Sequence, residues 1–340
     1  MLFHNIKLPD IDRENLLKFI ILLFSSQIVV NLARYPITNQ TEYYIGTISL
    51  LNGSITAIFA LVGITFSFSA YLYKRKLVYI ILIFGFFIFS VVGIKRGHLF
   101  LLPLLLLIQY IVYLRYTQEN FLRNALIITP VILIVTGLLM YFSFTLVPSL
   151  NPENIMGGSF DPAYVINFID HYLNPGRPIE GIQYFGRGEA PLAVYELLKN
   201  NGLLSLLLGL GPGDINMSKY TIGTDIIESE IFLTGIKYNI GYGARTGVLF
   251  SAMQIGFLGA IVYFLFVFKV FSQFFNKSFY ANEIPVDNKI IALGLAGFLG
   301  VFIFDFFAYS QVTFQNVPII LPVCFAYYYV MSKSIITCIH

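Results

Sequence analysis

The stretch GVLFSAMQIGFLGAIVYFLFVFKVFS, residues 247–272, decides the fold class of this chain. Lys269 is its single charged residue. A helix that crosses a bilayer needs about 20 mostly apolar residues, so the stretch predicts a transmembrane helix. The whole chain has the same bias, because its 340 residues are 57% hydrophobic and only 11% charged, whereas soluble domains average about 25% charged. The sequence therefore predicts an integral membrane protein.

Seven further apolar runs extend this prediction along the chain. Together with the first they predict an all-α integral membrane protein with about eight transmembrane helices, the second of which is long enough to tilt or to kink near Asn52. The chain then divides into five helices over residues 1–147, a long loop over 148–246 and three helices over 247–340. The predicted spans are residues 16–33, 45–70, 77–94, 98–114, 124–147, 247–272, 290–309 and 316–332.

The distribution of lysine and arginine predicts the orientation in the membrane. Cytoplasmic loops carry an excess of these residues, and a cytoplasmic N-terminus puts twelve of the 21 on that side. The opposite orientation would place the run Lys74-Arg75-Lys76 on the outer side of the membrane. We therefore expect a multi-pass protein with both termini in the cytoplasm and the long loop outside it. The twelve are Lys7, Arg13, Lys18, Lys74, Arg75, Lys76, Arg115, Arg123, Lys269, Lys277, Lys289 and Lys333.

Several classes of function are disfavoured by the sequence. Cys324 and Cys338 do not make a disulfide framework, and the chain offers no set of ligands typical of a metal site. The largest cytoplasmic segment, Val270 to Lys289, is too short to bind a nucleotide, and no glycine-rich phosphate loop occurs. We expect no soluble cofactor, no metal ion and no nucleic-acid partner. The substrate is expected to arrive in the membrane or from outside.

The long loop contains two predicted helices. Asp161 is a typical N-cap for a short helix over 163–172. A second helix is predicted over 190–201, where Glu196 and Lys199 lie one turn apart and are expected to pair. The loop is therefore expected to be partly structured.

An apolar run follows these helices and is too short to cross a membrane. It covers Leu203 to Leu210 and ends in the glycine-rich bend GLGPG of residues 209–213. We interpret 203–213 as a re-entrant or interfacial segment. Non-helical backbone at membrane depth survives only where protein buries it or where it lines a wet cavity. A cavity at the outer membrane surface is therefore expected.

Five motifs in a fixed order give the chain its resemblance to a known family. The motifs are Lys95-Arg96-Gly97, the arginine Arg187, the amphipathic stretch EAPLAVYELLKNNG of residues 189–202, GLGPG of residues 209–213 and QIGFLG of residues 254–259. On these motifs the chain resembles the O-antigen polymerase/ligase superfamily over about residues 90–272, with Lys in place of Ser in the first motif and Gln in place of Glu in the last. That resemblance implies a GT-C-like membrane fold without a separate soluble domain.

Within this superfamily, arginine spacing favours a polymerase. Ligases carry a histidine about ten residues before the first glycine of the last motif, and here that place falls at Arg245-Thr246. Arg245 with Gly256, and Arg177 with Gly188, are instead spaced as R-x10-G, which is similar to the paired pattern of Wzy-type polymerases. The resemblance therefore implies an O-antigen or capsular polysaccharide polymerase.

Such a polymerase is a glycosyltransferase of the bacterial cytoplasmic membrane. It joins polyprenyl-diphosphate-linked oligosaccharide repeat units into a polysaccharide at the outer face of that membrane. The partners that the resemblance implies are the lipid-linked oligosaccharide, membrane lipid, and a chain-length regulator and a flippase.

The chemistry of arginine supports this implication. A guanidinium binds phosphate bidentately and stays charged, and positive charge beside a leaving diphosphate stabilises the transition state. We predict that Arg96 and Arg245 are catalytic residues that hold the diphosphate, and that Glu228 takes the proton of the acceptor hydroxyl. An interfacial arginine that reaches lipid phosphate is the alternative for Arg96. The predicted substrate-binding residues are Arg34, Arg177, Arg187, Tyr184 and Tyr242.

Several other residues are candidates for the base. A solvated acidic face is the simpler interpretation of the acidic residues in the loop. Asp305 lies inside a predicted span, where a charged residue favours a functional role, although a hydrogen bond to Tyr309 or Gln311 would also explain it. The other candidates for the base are Glu230, Asp225, Glu189 and His171.

Two other functions remain as alternatives. A ligase would move the finished glycan to a lipid or protein acceptor. A transporter or flippase would move the lipid-linked unit without chemistry, and it predicts charges along several spans and repeated halves. Neither feature is clear in this sequence, which favours the enzyme.

Overall fold

The computed structural model describes most of the predicted helices and parts of the long loop. The described residues form ten α-helices. Each of the eight predicted spans is overlapped by a different one of these helices. The described residues are 13–38, 53–92, 97–117, 121–146, 151–153, 155, 157–164, 166–167, 188–211, 246–309 and 317–337. The helices are α1 Arg13–Thr38, α2 Gly53–Lys74, α3 Leu77–Val92, α4 Gly97–Thr117, α5 Phe121–Leu146, α6 Ala190–Asn200, α7 Leu203–Leu208, α8 Gly247–Ser272, α9 Val286–Ala308 and α10 Val317–Thr337.

The described part of the chain is an all-helical membrane protein. No strand occurs within it. By length and apolar character, three of its helical stretches can cross a bilayer: Ile55–Lys74, Gly247–Phe275 and Val286–Ala308. Shorter apolar helical stretches lie at Phe19–Val30, Leu77–Ser90, Leu101–Thr117 and Ile319–Met331.

The chain divides into two compact units. The bundle unit comprises Met1–Leu146, Val270–Phe302 and Val312–His340. The loop unit comprises Val147–Lys269 and Ile303–Gln311. Helix α8 therefore belongs largely to the same unit as the loop that precedes it.

Helix α2 forms the core of the bundle unit. Of its apolar stretch, 89% is buried inside the protein, because α1, α3 and α4 all pack against it. Phe59 lies at the centre of this packing, with ring centroids 4.6 Å from Phe24 and 5.9 Å from Phe89. Such aromatic pairs stabilise a core beyond the area that they bury.

A buried amide ties three helices of the bundle unit together. The Nε2 atom of Gln109 in α4 donates hydrogen bonds to the Thr65 carbonyl (3.1 Å) and Ser69 Oγ (3.0 Å) in α2, and to the Leu293 carbonyl (3.2 Å) in α9. Gly297 leaves room for this amide, because a Cβ there would come within 2.4 Å of Nε2. Small residues let membrane helices approach closely, and polar side chains then bond across them.

One end of the bundle unit is closed by aromatic side chains. After α8 the chain makes two 3-10 turns, Gln273–Phe275 and Lys277–Tyr280. The hydroxyl of Tyr280 donates to the Phe274 carbonyl (2.7 Å), and the ring of Tyr116 stacks on that of Tyr280 at 4.8 Å. Burial raises the pKa of the Tyr280 phenol well above its ordinary value, so the buried hydroxyl keeps its proton and remains a donor.

The link between α2 and α3 is unusually tight. Arg75 has a φ of 52° and donates its N–H to the Tyr71 carbonyl at 2.9 Å. A helix commonly ends on such a left-handed residue, but glycine usually occupies the position, and the conformation costs a residue with a side chain about 1–2 kcal/mol. The preceding Lys74 forms an ion pair with Asp287 at 2.6 Å, which fastens the end of α2 to the start of α9.

Candidate functional site

The predicted re-entrant segment is a short helix between two glycines. Helix α6 ends at Asn200, and Gly202 has a φ of 101°. Six residues then form α7, which ends on Gly209 with φ 82° and ψ −175°. This region of backbone space is essentially confined to glycine, so the two glycines determine where α7 begins and ends.

Helix α8 is broken near its first third. Gly256 has φ 72° and ψ 172°, so the helical backbone stops there and begins again. A mid-helix break frees carbonyl groups before it and N–H groups after it. In a membrane each freed group needs a partner inside the protein.

The glycine bend supplies the partners for the freed carbonyls. The N–H of Leu210 donates to the Met253 carbonyl at 2.8 Å, and the N–H of Gly211 donates to the Gln254 carbonyl at 3.1 Å. The bend and the break are therefore one local structure, in which two segments pair through their main chains. Gly209-Leu-Gly211 and Gln254-Ile-Gly256 are also parts of two of the motifs that carry the family resemblance.

Glycine is required on both sides of this contact. A Cβ on Gly256 would lie 2.0 Å from the Leu207 carbonyl oxygen, and a Cβ on Gly209 would lie 2.4 Å from the Gln254 carbonyl carbon. Both neighbours are main-chain atoms, which cannot rotate out of the way. Gly256 is also the glycine of the Arg245 R-x10-G spacing, and the structure gives it a conformational role.

The break gives this site a positive electrostatic end. The second half of α8 begins after Gly256, and the first turn of a helix carries N–H groups without intrahelical acceptors. Together with the helix dipole, these groups favour an anion. The main chain of the bend lies close to this point, because a Cβ on Gly209 would come within 2.6 Å of the Gly256 amide nitrogen.

Two buried polar atoms, one within α8 and one just before it, lack hydrogen-bond partners among the described residues. The Nε2 atom of Gln254 and the Oγ1 atom of Thr246 are both buried and accept or donate no hydrogen bond there. Thr246 is 6% exposed and immediately precedes α8. An unsatisfied buried polar group costs about 1–3 kcal/mol, so these atoms mark α8 as a place where polar ligands or polar loop residues would be stabilising.

The helices before the bend expose an apolar surface. Helix α6 buries Ala190, Val194 and Leu198 at four-residue spacing. Four of the five leucines of α7 are exposed, among them Leu204 (74%) and Leu208 (60%). Apolar surface of this kind fits contact with membrane lipid or with another protein surface, and the re-entrant or interfacial placement of 203–213 stays a prediction.

The described part of the loop confirms two predictions about its helices. Asp161 caps the helical turn that follows it, because its Oδ1 accepts the N–H of Ala163 at 2.8 Å. Helix α6 covers Ala190–Asn200, as predicted for 190–201. The expected pairing of Glu196 with Lys199 is wrong: Lys199 Nζ lies 5.9 Å from the centre of the Tyr195 ring, where a cation is attracted by the aromatic face.

A short polar loop near the start of the loop unit is held by side chains. Asn151 is fully buried and bonds the main chain of Ile155 with both its Nδ2 (2.8 Å) and its Oδ1 (3.2 Å). Glu153 accepts the N–H of Ser159 at 2.9 Å and also the Ser159 hydroxyl. The hydroxyl bond, followed by the main-chain bonds, lowers the pKa of Glu153, because these donors favour the ionised carboxylate.

Asp305 is a buried carboxylate of the loop unit. It is 0% exposed and lies four residues from Tyr309, whose N–H donates to its main-chain carbonyl at 3.3 Å. The next residue in the chain is Phe306, whose ring stacks on that of Phe264 with centroids 5.6 Å apart. A carboxylate in such surroundings is costly unless it is bonded, so Asp305 remains a candidate for a structural or a functional role.

Most of the predicted site residues lie outside the described residues. Of the others, Arg34 lies within α1, and Glu189 is half-buried at the start of α6, where its carbonyl accepts the N–H groups of Leu192 and Ala193. In sequence, Arg96 directly precedes α4. The predicted residues outside the described part are Arg96, Arg177, Tyr184, Arg187, Glu228, Tyr242 and Arg245, with the alternative bases His171, Asp225 and Glu230.

Sequence reasoning missed the contact between the bend and the broken helix. It identified GLGPG and QIGFLG as separate motifs and treated residues 247–272 as one continuous span. The signal that was present is glycine within an otherwise apolar helix, which lowers helix stability by about 1 kcal/mol and usually has a packing reason. Two such glycine motifs in one membrane unit are a reason to expect main-chain contact between them.

No protein-family model, no curated protein and no solved structure matches this chain. The resemblance to the O-antigen polymerase/ligase superfamily therefore rests on the motifs, and the function drawn from it is a proposal.

Proposed function

We propose that this protein is a membrane glycosyltransferase that polymerises polyprenyl-diphosphate-linked oligosaccharide repeat units. The observation that carries the proposal is the pairing of Gly209-Leu-Gly211 with Gln254-Ile-Gly256. Only the family resemblance links these two motifs in the sequence, and they form one contact in the fold. The proposal includes eight membrane spans in a GT-C-like arrangement, in a bacterial cytoplasmic membrane, with both termini cytoplasmic.

In the proposed reaction the acceptor is the sugar at the non-reducing end of one lipid-linked unit. Its hydroxyl oxygen bonds to the anomeric carbon of the donor glycan as the bond from that carbon to the diphosphate oxygen breaks. The hydroxyl proton goes to a carboxylate, for which Glu228 is our candidate, and polyprenyl diphosphate leaves with the bonding electrons. No oxidant or reductant is required.

The leaving diphosphate needs positive charge as its own charge grows. The second half of α8 begins at Gly256, and its dipole favours an anion at that end. Arg245 precedes the same helix in sequence, and we propose it as a diphosphate ligand, with Arg96 as a second ligand and Arg187 as a residue that positions the glycan. The exposed leucines of α7 would meet the lipid in which the substrate is dissolved.

A reconstituted reaction tests this proposal. Purified protein in a lipid nanodisc, given a lipid-linked repeat unit, is expected to produce a ladder of longer products on a gel. Arg245→Ala and Arg96→Ala are expected to lower the rate at least about 100-fold, as removal of a group that stabilises transition-state charge does. Arg123→Ala is the matched control, since Arg123 is an exposed arginine at the start of α5. Ladder formation by both site variants at the wild-type rate would remove the diphosphate ligands from the proposal.

The broken helix also favours a second candidate, a transporter of lipid-linked glycans. Discontinuous membrane helices whose half-helix ends face the substrate are typical of transporters, and α8 is discontinuous at Gly256. The same nanodisc preparation yields no ladder in this case, whereas vesicles would show movement of a fluorescent lipid-linked glycan across the bilayer. That pair of results would replace the enzyme by the transporter.

A further inference from the structure

The end of the bundle unit where α2 and α4 finish carries an arginine held in an unusual way. Arg75 is the single non-glycine with a positive φ among the described residues. Its guanidinium carbon lies 5.6 Å from the centre of the Tyr71 ring and 5.8 Å from that of Tyr113, and one of its nitrogens donates to the Tyr113 hydroxyl at 3.5 Å. Three contacts therefore fix a side chain that would otherwise be mobile.

No carboxylate of the described residues lies within ion-pairing distance of this guanidinium. The neighbouring residue Lys74 does have such a partner, because it pairs with the carboxylate of Asp287 at 2.6 Å. Arg75 and Lys76 are both exposed. A guanidinium has five N–H donors in a planar fork that matches a phosphate, and among the described residues only one of them has a hydrogen-bond acceptor. The fork is thus oriented in advance for an anionic group from outside.

The strain at Arg75 indicates that the position serves more than the fold. Glycine would end α2 there without a steric cost, and Arg75 holds the left-handed conformation instead. Residues in such conformations persist where the surroundings fix them and are often found at ligand sites. A bare excess of positive charge on one side of the membrane would need neither the conformation nor the tyrosines.

An apolar stripe continues from this arginine along α3. It consists of Leu77 (68% exposed), Ile81 (60%), Phe84 and Ile88 (both 47%). Their spacing of four, three and four residues puts them on one face of the helix. The stripe begins two residues after Arg75, so a molecule with a phosphate head and a hydrocarbon tail would meet both features at once. A free phosphate would use only the first.

We propose that Arg75 and Lys76, with the exposed stripe of α3, form a binding site for one anionic phospholipid. The headgroup phosphate would be held by the Arg75 fork, with the ammonium of Lys76 beside it, and one acyl chain would lie along Leu77, Ile81, Phe84 and Ile88. The site is in the bundle unit and does not depend on the proposed glycosyltransferase activity.

Native mass spectrometry of the purified full-length protein tests this site. The probes are phosphatidylglycerol and phosphatidylcholine with the same acyl chains, added in turn to protein in neutral detergent. We expect at least one phosphatidylglycerol to be retained in preference to phosphatidylcholine. Arg75→Gln is expected to weaken phosphatidylglycerol binding about tenfold, the size of effect that loss of one charge-assisted contact gives, and Arg75→Lys is expected to weaken it less, because the charge stays and the fork is lost.

Two further variants separate a site from general charge and from misfolding. Arg123→Gln removes an exposed arginine at the start of α5, and we expect it to change the binding by less than about twofold, as for an isolated surface charge. Arg75→Gly relieves the strained conformation, so it should unfold at a temperature no lower than wild type while losing the lipid preference. Folded Arg75→Gly protein that still retains phosphatidylglycerol would overturn the proposal.

The remaining outcomes also decide the matter. Equal losses in Arg75→Gln and Arg123→Gln would mean that the preference is general electrostatics, and the site would be rejected. Displacement of the bound lipid by inorganic phosphate would likewise overturn the proposal, because it would show that the acyl chain contributes nothing. Retention of the lipid in excess phosphate, with a loss confined to the Arg75 variants, would support it.

Discussion

The two units use glycine in opposite ways. In the bundle unit Gly294 and Gly63 make room for rings: a Cβ on Gly294 would lie 2.6 Å from the Phe66 ring, and one on Gly63 would lie 2.5 Å from the Phe86 ring. In the loop unit Gly209 and Gly256 adopt positive φ and meet main-chain atoms. The first pair leaves space for aromatic rings between helices, and the second pair makes a break in a helix possible.

This difference shows which part of the protein can adjust. A ring can rotate or shift when a neighbour grows, and a packed core accommodates an added methyl group at a cost of about 1–3 kcal/mol. A carbonyl group in a paired main chain cannot move without losing its hydrogen bonds. The bundle unit is therefore expected to be tolerant, and the contact of the bend with α8 is expected to be intolerant.

The largest effect is expected at the broken helix. Gly256→Ala should destabilise the protein by more than about 3 kcal/mol, because it combines a glycine-only conformation with a main-chain clash. Thermal unfolding in detergent and amide exchange at Leu210 and Gly211 measure the two consequences. The control is Gly137→Ala in α5, where an added Cβ meets nothing within 4 Å. Equal unfolding temperatures for the two variants would contradict the role given to the break.

A smaller loss of stability, which a second substitution partly reverses, is expected in the bundle unit. Gly294→Ala should cost about 1–3 kcal/mol, and adding Phe66→Leu should recover part of that cost, since the clashing ring is then gone. In contrast, Leu207→Ala should not rescue Gly256→Ala, because the atom in the way is the Leu207 main-chain oxygen. Thermal unfolding of the two double-mutant cycles measures the coupling. Rescue in both cycles, or in neither, would remove the distinction between the two kinds of glycine.

The smallest effect is expected from pH, and only in the loop unit. The pKa of Glu153 is lowered in the folded protein, so its stabilisation is fully present above the ordinary glutamate value of 4.5 and is lost as the pH falls through the folded value. The hydrogen-exchange rate of the Ser159 amide, corrected for its intrinsic pH dependence, should then rise as the pH falls. The hydrogen-exchange rate in the core of α2 should stay constant. The side chain of Gln109 in α4 bonds Thr65 and Ser69 of α2, and none of these groups titrates.

Glu153→Gln supplies the control for this pH effect. Its loop should already exchange faster at neutral pH and should show no further rise on acidification. A rise in wild type and variant alike would point to another group as the cause.

The sequence was sufficient to predict where the helices lie, because the hydrophobicity of a stretch depends only on its own residues. Helices overlap all eight predicted apolar runs. Asp161 caps a helical turn as predicted, and Gly202 and Gly209 lie where helices end. Boundaries differed where polar residues extend a helix beyond its apolar part, as at Arg13 in α1 and Val286 in α9. Periodicity locates what is apolar, whereas hydrogen bonding decides where a helix ends.

The candidate site was only partly predictable. The motifs GLGPG and QIGFLG were visible in the sequence, but their contact joins residues more than forty positions apart and is made by main-chain atoms. Main-chain pairing leaves no charge or periodicity in the sequence by which it could be found. The arginines predicted for catalysis rest on the family resemblance and remain predictions.

Residues 247–272 show most clearly what the sequence determines and what the tertiary structure decides. Its apolar composition by itself determined that this stretch is a membrane helix, because burial of apolar side chains in lipid depends only on what those side chains are. Only the tertiary structure decided that the helix breaks at Gly256, because the break is stable only when Leu210 and Gly211 arrive to bond the freed carbonyls of Met253 and Gln254. A hydrogen bond needs its partner in place, and that partner comes from elsewhere in the chain.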